Sequence, residues 1–374
     1  MNRTKIIATV GPGCDDRSMM QKLVDAGVSC FRINLSHGSE NQKKHYFSLI
    51  KSLKTASGLR PSILADISGP KIRVKSLKEK LSFSKGDSIV LSNDKLVQGA
   101  VSVSKGVRFE KINPGARILI DDGRLFLEVK ELVSNQTLDC VALNDGDIEN
   151  GKGVNFPGIA LDVPVLTKQD EVDLEISLSE GADWLALSFV RSPTDYKFLK
   201  EKIKKAGYET PIMAKIEKWE AVQNLDGIIH SFDAVMVARG DLGVEMPLEQ
   251  VPLIQKEVIE KANRAGKPVI IATQILDSMI DRPVPNRAEV SDIANAILDG
   301  TDSLMVTGET AMGKHPKKVI KVLSTVINKI ESSINYGQYS KWSTNREINT
   351  SNAISHAACA ASRSQRISVL ATMT

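Results

Sequence analysis

Eight short apolar segments, beginning near residues 4, 29, 62, 183, 211, 233, 268 and 302, recur along the chain with helix-patterned stretches between most of them. Most run into charge or glycine. Thr4 to Val10 closes on Gly11-Pro12-Gly13, Ser29 to Leu35 carries Arg32 and Asn34 into Ser36-His37-Gly38, and Ser62 to Ala65 ends in Asp66 before Gly69-Pro70. Alternating strands and helices call for parallel strands with right-handed crossovers, and eight strands close a TIM-type (β/α)8 barrel. With 374 residues the chain has length for that barrel and a satellite domain, and needs no disulfide or metal to hold a core.

From Ile72 to Pro157 the pattern changes. Helical spacing disappears, and short β-rich runs alternate with turns such as Lys85-Gly86-Asp87, Asn113-Pro114-Gly115, Asp121-Asp122-Gly123 and Asn144-Asp145-Gly146, the grammar of a small antiparallel β-barrel set into the larger one. The expected organisation is barrel over 1–71 and 159–332, an inserted β lid domain over 72–158, a polar linker over 333–349, and a shortened C-terminal α/β segment over 350–374. In that last segment a small-residue helix, Ala353 to Ala361, and one strand, Ile367 to Met373, are expected; a lone strand needs neighbours to be stable.

Chemistry in such barrels sits at the C-terminal ends of the strands. There this chain places Arg32, Asn34, Asp66, Lys215, Glu217, Arg239, Asp241, Thr273 and Glu309. In Met213-Ala214-Lys215-Ile216-Glu217 the two-residue repeat of a strand aims Lys215 and Glu217 the same way. The strand Val235 to Ala238 is expected to deliver Asp241 at its end, ahead of a helix begun by Pro247, with Gly240 and Gly243 leaving bare N–H groups suited to an anion. Two carboxylates sharing a hard divalent cation beside a lysine outline a phosphoryl-transfer site. The plainer alternative for Lys-x-Glu alone is a solvated pair on the rim.

Net charge is +4, from 49 basic against 45 acidic residues without long runs, too mild to argue for nucleic acid or a membrane surface. Cys14, Cys30, Cys140 and Cys359 form no CxxC pair and read as reduced thiols. No signal-peptide pattern opens the sequence and no apolar run approaches membrane length, so a soluble cytoplasmic protein is expected.

These motifs in this order resemble the pyruvate kinase family. The matching stretches are Thr4 through Pro12, Phe31 through Gly38, Asp66 through Arg73, Gly151 through Gly158, Ala214 through Glu217, Ala238 through Gly243, Ala272 through Gln274, Ala288 through Asp292 and Gly308 through Ala311, spread over residues 4 to 331. The resemblance implies phosphoryl transfer from phosphoenolpyruvate to ADP with Mg2+ or Mn2+, giving pyruvate and ATP, in a homo-oligomer. Matched by position, Glu217 and Asp241 are the divalent ligands. Backbone N–H groups of Gly240 and Asp241 hold the substrate carboxylate, and Arg32, Arg73 and Lys215 surround the moving phosphoryl group. Thr273 relays the proton, with Ser291 also implicated, and Asn34, His37, Lys152 and Asp122 serve the nucleotide. On the residues alone, His37 reads as a loop histidine, Ser291 as a cap hydroxyl and Asp121/Asp122 as turn formers.

Two departures from the family pattern follow. Members that need potassium hold it through positions matching Asn34, Ser36, Asp66 and the carbonyl of Ile67, and carry Glu where this chain has Lys71; an ammonium there is expected to replace the ion, since like charges about 4 Å apart repel by roughly 4 kcal/mol at an effective dielectric of about 20. The short C-terminal segment implies no response to sugar-phosphate effectors. A catalytically weak regulatory paralogue and a barrel cleaving C–C bonds are the alternative functions.

Overall fold

In the computed structural model of the protein, the described residues are 2–334, without 78, 95, 96, 105 and 106, together with 350, 353, 354, 357, 358 and 361. Met1–Asn328 form one compact unit and Lys329–Thr374 another. Of the second unit, the six isolated positions from 350 to 361 are helical. The expected strand Ile367 to Met373 and most of the expected linker lie outside the described residues.

Eight parallel strands close the barrel: β1 (Lys5–Thr9), β2 (Val28–Asn34), β3 (Ser62–Ile67), β4 (Trp184–Leu187), β5 (Ile212–Ile216), β6 (Ala234–Ala238), β7 (Val269–Ala272) and β8 (Ser303–Val306), each beside its neighbour in sequence, with β8 returning to β1. Several of the helices between them start where side chains offer caps. Asp16 accepts from the Met19 N–H, and Thr167, Ser192 and Asn286 form reciprocal capping boxes with Asp170, Asp195 and Glu289. Gly27, at φ 125°, ends the first helix in a conformation that a side chain would strain.

Strand parity decides what fills the barrel. Ile7, Leu64, Ala186, Met213, Ala234, Met236, Ile270, Ala272 and Met305 pack together as an apolar floor. On β5 the next position of the same parity as Met213 is Lys215, and Glu217 continues it just past the strand's end, so a charged layer rests directly on the apolar one.

The insert is a seven-stranded sheet in the order Val154–Asn155, Arg117–Ile120, Leu125–Ser134, Thr137–Ala142, Ser88–Ser92, Val101–Val103, Val74–Lys75, with a separate pair Leu81–Phe83 and Gly146–Ile148. An isolated bridge between Arg73 and Gly153 joins the two end strands, so the sheet curls into a small barrel. One pairing, Ser88–Ser92 with Val101–Val103, is parallel, a departure from the purely antiparallel expectation. Its core includes Phe109 and Phe156, ring centres 5.9 Å apart.

A further correction concerns the turn after β6. Asp241 does not end a strand: β6 stops at Ala238, and Arg239–Glu245 form a short helix with Asp241 in its first turn. The helix expected at Pro247 is a 3-10 turn, Leu248–Gln250, leading into Val251–Ala265. Gly240 and Gly243, poor helix formers, obscure this in the sequence. Among the described residues no helix is long and apolar enough to cross a membrane.

Candidate active site

Lys215 is the centre of the charged layer. Its ammonium lies 2.8 Å from Glu217 Oε1 and 3.3 Å from Asp66 Oδ1, and donates to Ser188 Oγ at 2.8 Å. Arg32 approaches Asp66 from the other side, Nε to Oδ2 at 2.7 Å, and its Nη1 donates to Thr9 Oγ1. These groups come together because β2, β3, β4 and β5 are consecutive staves whose C-terminal ends share one rim.

Burial makes the cluster electrostatically tense. Lys215, Glu217 and Asp66 are 8%, 0% and 2% exposed. Burial opposes ionisation of Asp66, yet Lys215 and Arg32 more than offset it and hold its carboxyl below the usual carboxylate range. Burial pushes Glu217 up, reinforced by Asp241 and only partly relieved by Lys215. Burial works against the Lys215 charge as well, but Asp66 and Glu217 hold its pKa above the ordinary lysine value.

Two of these contacts escaped the sequence reading. Ser188, closing β4, joins Lys215 to Asp66, donating to Oδ1 at 3.3 Å; the signal was there, a polar residue ending an apolar strand as in the neighbouring staves. Phe189, at φ 56°, donates its N–H to Glu217 Oε2 at 2.8 Å.

The second half of the site follows β6 and β7. The Gly240 N–H donates to Thr273 Oγ1 at 2.8 Å, and that hydroxyl donates to the Ala272 carbonyl at 2.6 Å. The N–H assigned to a substrate carboxylate is thus held by Thr273 in this arrangement. Asp241 accepts from Lys71 Nζ at 3.1 Å, and Asp122 of the insert lies 3.9 Å from the same ammonium.

Other expected residues lie apart. Arg73 sits in the insert, its guanidinium donating to the Gly151 carbonyl at 2.9 Å, and no ion pair or hydrogen bond among the described residues joins it to Arg32, Lys215 or a bridging carboxylate. Lys152 pairs with Asp121 at 3.1 Å. His37 is exposed, and Ser291 is exposed on the helix Arg287–Asp299, its carbonyl accepting from Asn295. Asn34 and Asp66 are register partners on β2 and β3, Asn34 Oδ1 accepts from the Ser36 N–H, Ser36 Oγ accepts from Ser68, and Ile67 is buried. Lys71 makes its ion pairs with Asp241 and Asp122, and the cations on Asp66 are Arg32 and Lys215.

Insert and barrel face each other across a cleft of about 710 Å3 whose lining includes Lys71, Asp122, Arg239, Gly240, Asp241 and Gln274. A buried polar junction supports it: Asn155 of the insert and Lys218 both donate to Glu245 Oε1, at 3.0 and 2.7 Å.

A divalent cation fits the donors present. Glu217 Oε1 is buried, with the Lys215 ammonium 2.8 Å away as its charged neighbour. Asp241 is close enough to raise the Glu217 pKa. No group of three or more His, Cys, Asp or Glu gathers for a metal among the described residues; two carboxylates with water and phosphate oxygens completing the shell is how Mg2+ is usually held.

Residues 1–320 match the family model for the barrel domain of pyruvate kinase. The chain is 43% identical over 335 residues to pyruvate kinase 2 of Synechocystis sp., covering 88% of this chain and 57% of that protein. To the pyruvate kinase of Thermotoga maritima it is 41% identical over 377 residues, covering 100% of this chain and 80% of the relative. Among solved structures, a pyruvate kinase from Cryptosporidium parvum superposes with a TM-score of 0.90 at 32% identity, covering 97% of this chain and 77% of that one.

Proposed function

Because the chain belongs to the pyruvate kinase family, we propose that its barrel moves the phosphoryl group of phosphoenolpyruvate to ADP. The P–O bond to the enol oxygen breaks, a bond to the terminal phosphate oxygen of ADP forms, and the enolate left behind takes a proton on carbon to become pyruvate. The observation that carries this reading is the buried cluster of Lys215, Glu217, Asp66 and Arg32, with Asp241 near enough to act on the charge of Glu217. Glu217 and Asp241 would hold Mg2+ or Mn2+, which when bound neutralises charge on the phosphoryl oxygens.

Lys215 and Arg32 supply preorganised positive charge where negative charge develops in transfer. Their carboxylate partners hold them in place, so little reorganisation accompanies the reaction. Gly240 and Asp241 offer backbone N–H groups to the substrate carboxylate once Thr273 Oγ1 releases the first of them. Thr273 is the proton relay, with Ser291 implicated beside it.

The insert, residues 72–158, acts as a lid. Asn34, His37, Arg73, Lys152 and Asp122 line the approach of the nucleotide, and closure brings the lid residues to the phosphates while excluding water. Lys71 brings a permanent ammonium to this side of the site, where it pairs with Asp241 and Asp122; with that charge present, potassium is not required. The protein works in the cytoplasm as a homo-oligomer. No site residue matched to the family is altered in a way that favours the regulatory paralogue.

The deciding experiment is a coupled pyruvate-formation assay with phosphoenolpyruvate, ADP and Mg2+ on this chain beside Lys215→Met. Turnover in the parent that vanishes in the variant is expected; a folded parent without turnover overturns the proposal.

A further inference from the structure

Arg239 ends β6 by opening the short helix, and the site so far gives it no role. Its guanidinium is 10% exposed and nearly saturated. Nε and Nη2 donate to the Thr273 carbonyl at 3.2 and 2.8 Å, Nη2 also donates to the Gln274 carbonyl at 2.9 Å, and Nη1 donates to Asp292 Oδ2 at 2.6 Å, with Gln255 Oε1 at 3.5 Å. Three of these bonds end on the backbone of two consecutive residues with positive φ, Thr273 at 67° and Gln274 at 55°.

That conformation is costly. Left-handed backbone is uncommon for any side chain but glycine, and for a β-branched residue it is an outlier; such strain persists only where the surroundings over-determine it. Thr273 is the one β-branched residue among the described non-glycine residues with positive φ. The same conformation turns Thr273 Oγ1 to the Gly240 N–H, one residue along from Arg239.

We propose that Arg239 is a positioning residue for proton delivery: it clamps the strained Thr273-Gln274 backbone so that the Thr273 hydroxyl stands at the substrate face, with Asp292 anchoring the clamp. This rests on the proposed activity and adds to it a residue that touches no substrate. Lysine is no substitute, because a single ammonium cannot span two carbonyls and a carboxylate as a planar five-donor fork does.

The test is a double-mutant cycle on the full chain with Arg239→Lys, Thr273→Ala and the pair. Readouts are pyruvate formation, exchange of the pyruvate methyl hydrogens with D2O followed by NMR, and melting temperature. Arg239→Lys is expected to lower kcat and methyl exchange together by about a hundredfold, the cost of roughly an ångström of misplacement, with KM for phosphoenolpyruvate little changed. On the Thr273→Ala background it adds no further loss. Losses that multiply in the pair, or a change confined to KM, overturn the inference. If Arg239→Lys fails to fold, Asp292→Asn, which removes only the anchor, takes its place in the same cycle under the same criteria. A parent that makes no pyruvate overturns the proposed activity and this role with it; an active parent with multiplying losses overturns this role alone.

Discussion

The ammonium of Lys71 lies 3.1 Å from Oδ1 of Asp241, so the last residue of the first barrel segment, where the chain enters the insert, holds a carboxylate at the opposite lip of the cleft. The two are 170 residues apart in sequence. This pair bears on both cations of the proposed reaction, because Asp241 is a candidate divalent ligand and Lys71 is the proposed stand-in for potassium.

Activity without a monovalent cation is expected from the permanent charge that Lys71 adds to the site. Initial rates in tetramethylammonium and potassium salts at equal ionic strength should agree, and a many-fold stimulation by potassium would remove Lys71 from that role. Lys71→Met should also free Asp241, and Mn2+ titration of the substrate-free protein should then show tighter binding than in the parent.

Lys215→Met should cost stability as well as activity. Removing one partner of a buried ionic cluster typically costs about 3–5 kcal/mol; here Glu217 stays buried without its cation, while Asp66 keeps Arg32. Denaturant unfolding of parent and variant measures this. Unchanged stability would mean that Asp66 and Glu217 find other compensation.

Acid unfolding should separate the two carboxylates by sign. Asp66 has a folded pKa below its ordinary 3.8, so it contributes stability that is present above that value and lost as pH falls through the folded pKa. Glu217 is raised above 4.5, so its contribution is present below that value and lost as pH rises through the folded pKa. Melting temperature against pH should accordingly lose part of its acid limb in Asp66→Asn. In Glu217→Gln it should lose part of the decline on the neutral side of the carboxylate range.

Asn155→Ala should loosen the lid. It deletes one of two donors to Glu245 Oε1 in a carboxylate whose Oε2 already lacks a hydrogen bond. Phosphoenolpyruvate consumed without ATP formed should rise relative to productive transfer, because a lid that closes less completely admits water. An unchanged ratio would assign the contact to folding alone.

The described cysteines should be inert. Burial pushes the thiols of Cys14, Cys30 and Cys140 to about 11, 12 and 12, and the thiolate is the reactive form. Iodoacetamide at neutral pH followed by peptide mass mapping should leave all three unmodified; alkylation of the buried Cys14 or Cys140 would show that the barrel or the insert opens readily.

The barrel was legible because its signals are local. An apolar run with two-residue alternation fixes which side chains share a face wherever the strand ends up, so Lys215 and Glu217 could be assigned to one space from five letters of sequence. Eight such runs with helices between them leave few topologies. Ser188 was equally readable by that rule and was passed over.

What tertiary structure alone decided was which charges meet. Nothing local in Asp66 says that Arg32 and Lys215 reach it from neighbouring staves, or that Lys71 finds Asp241 across the cleft rather than standing free beside Asn34 and Ser36. The helix Arg239–Glu245 forms against the low propensity of two glycines. The left-handed Thr273 and Gln274 are held by a guanidinium from the short helix that follows β6. Local sequence sets direction and period over a few residues; distances between groups far apart in the chain, and strain that only remote partners can hold, exist only once the barrel has closed.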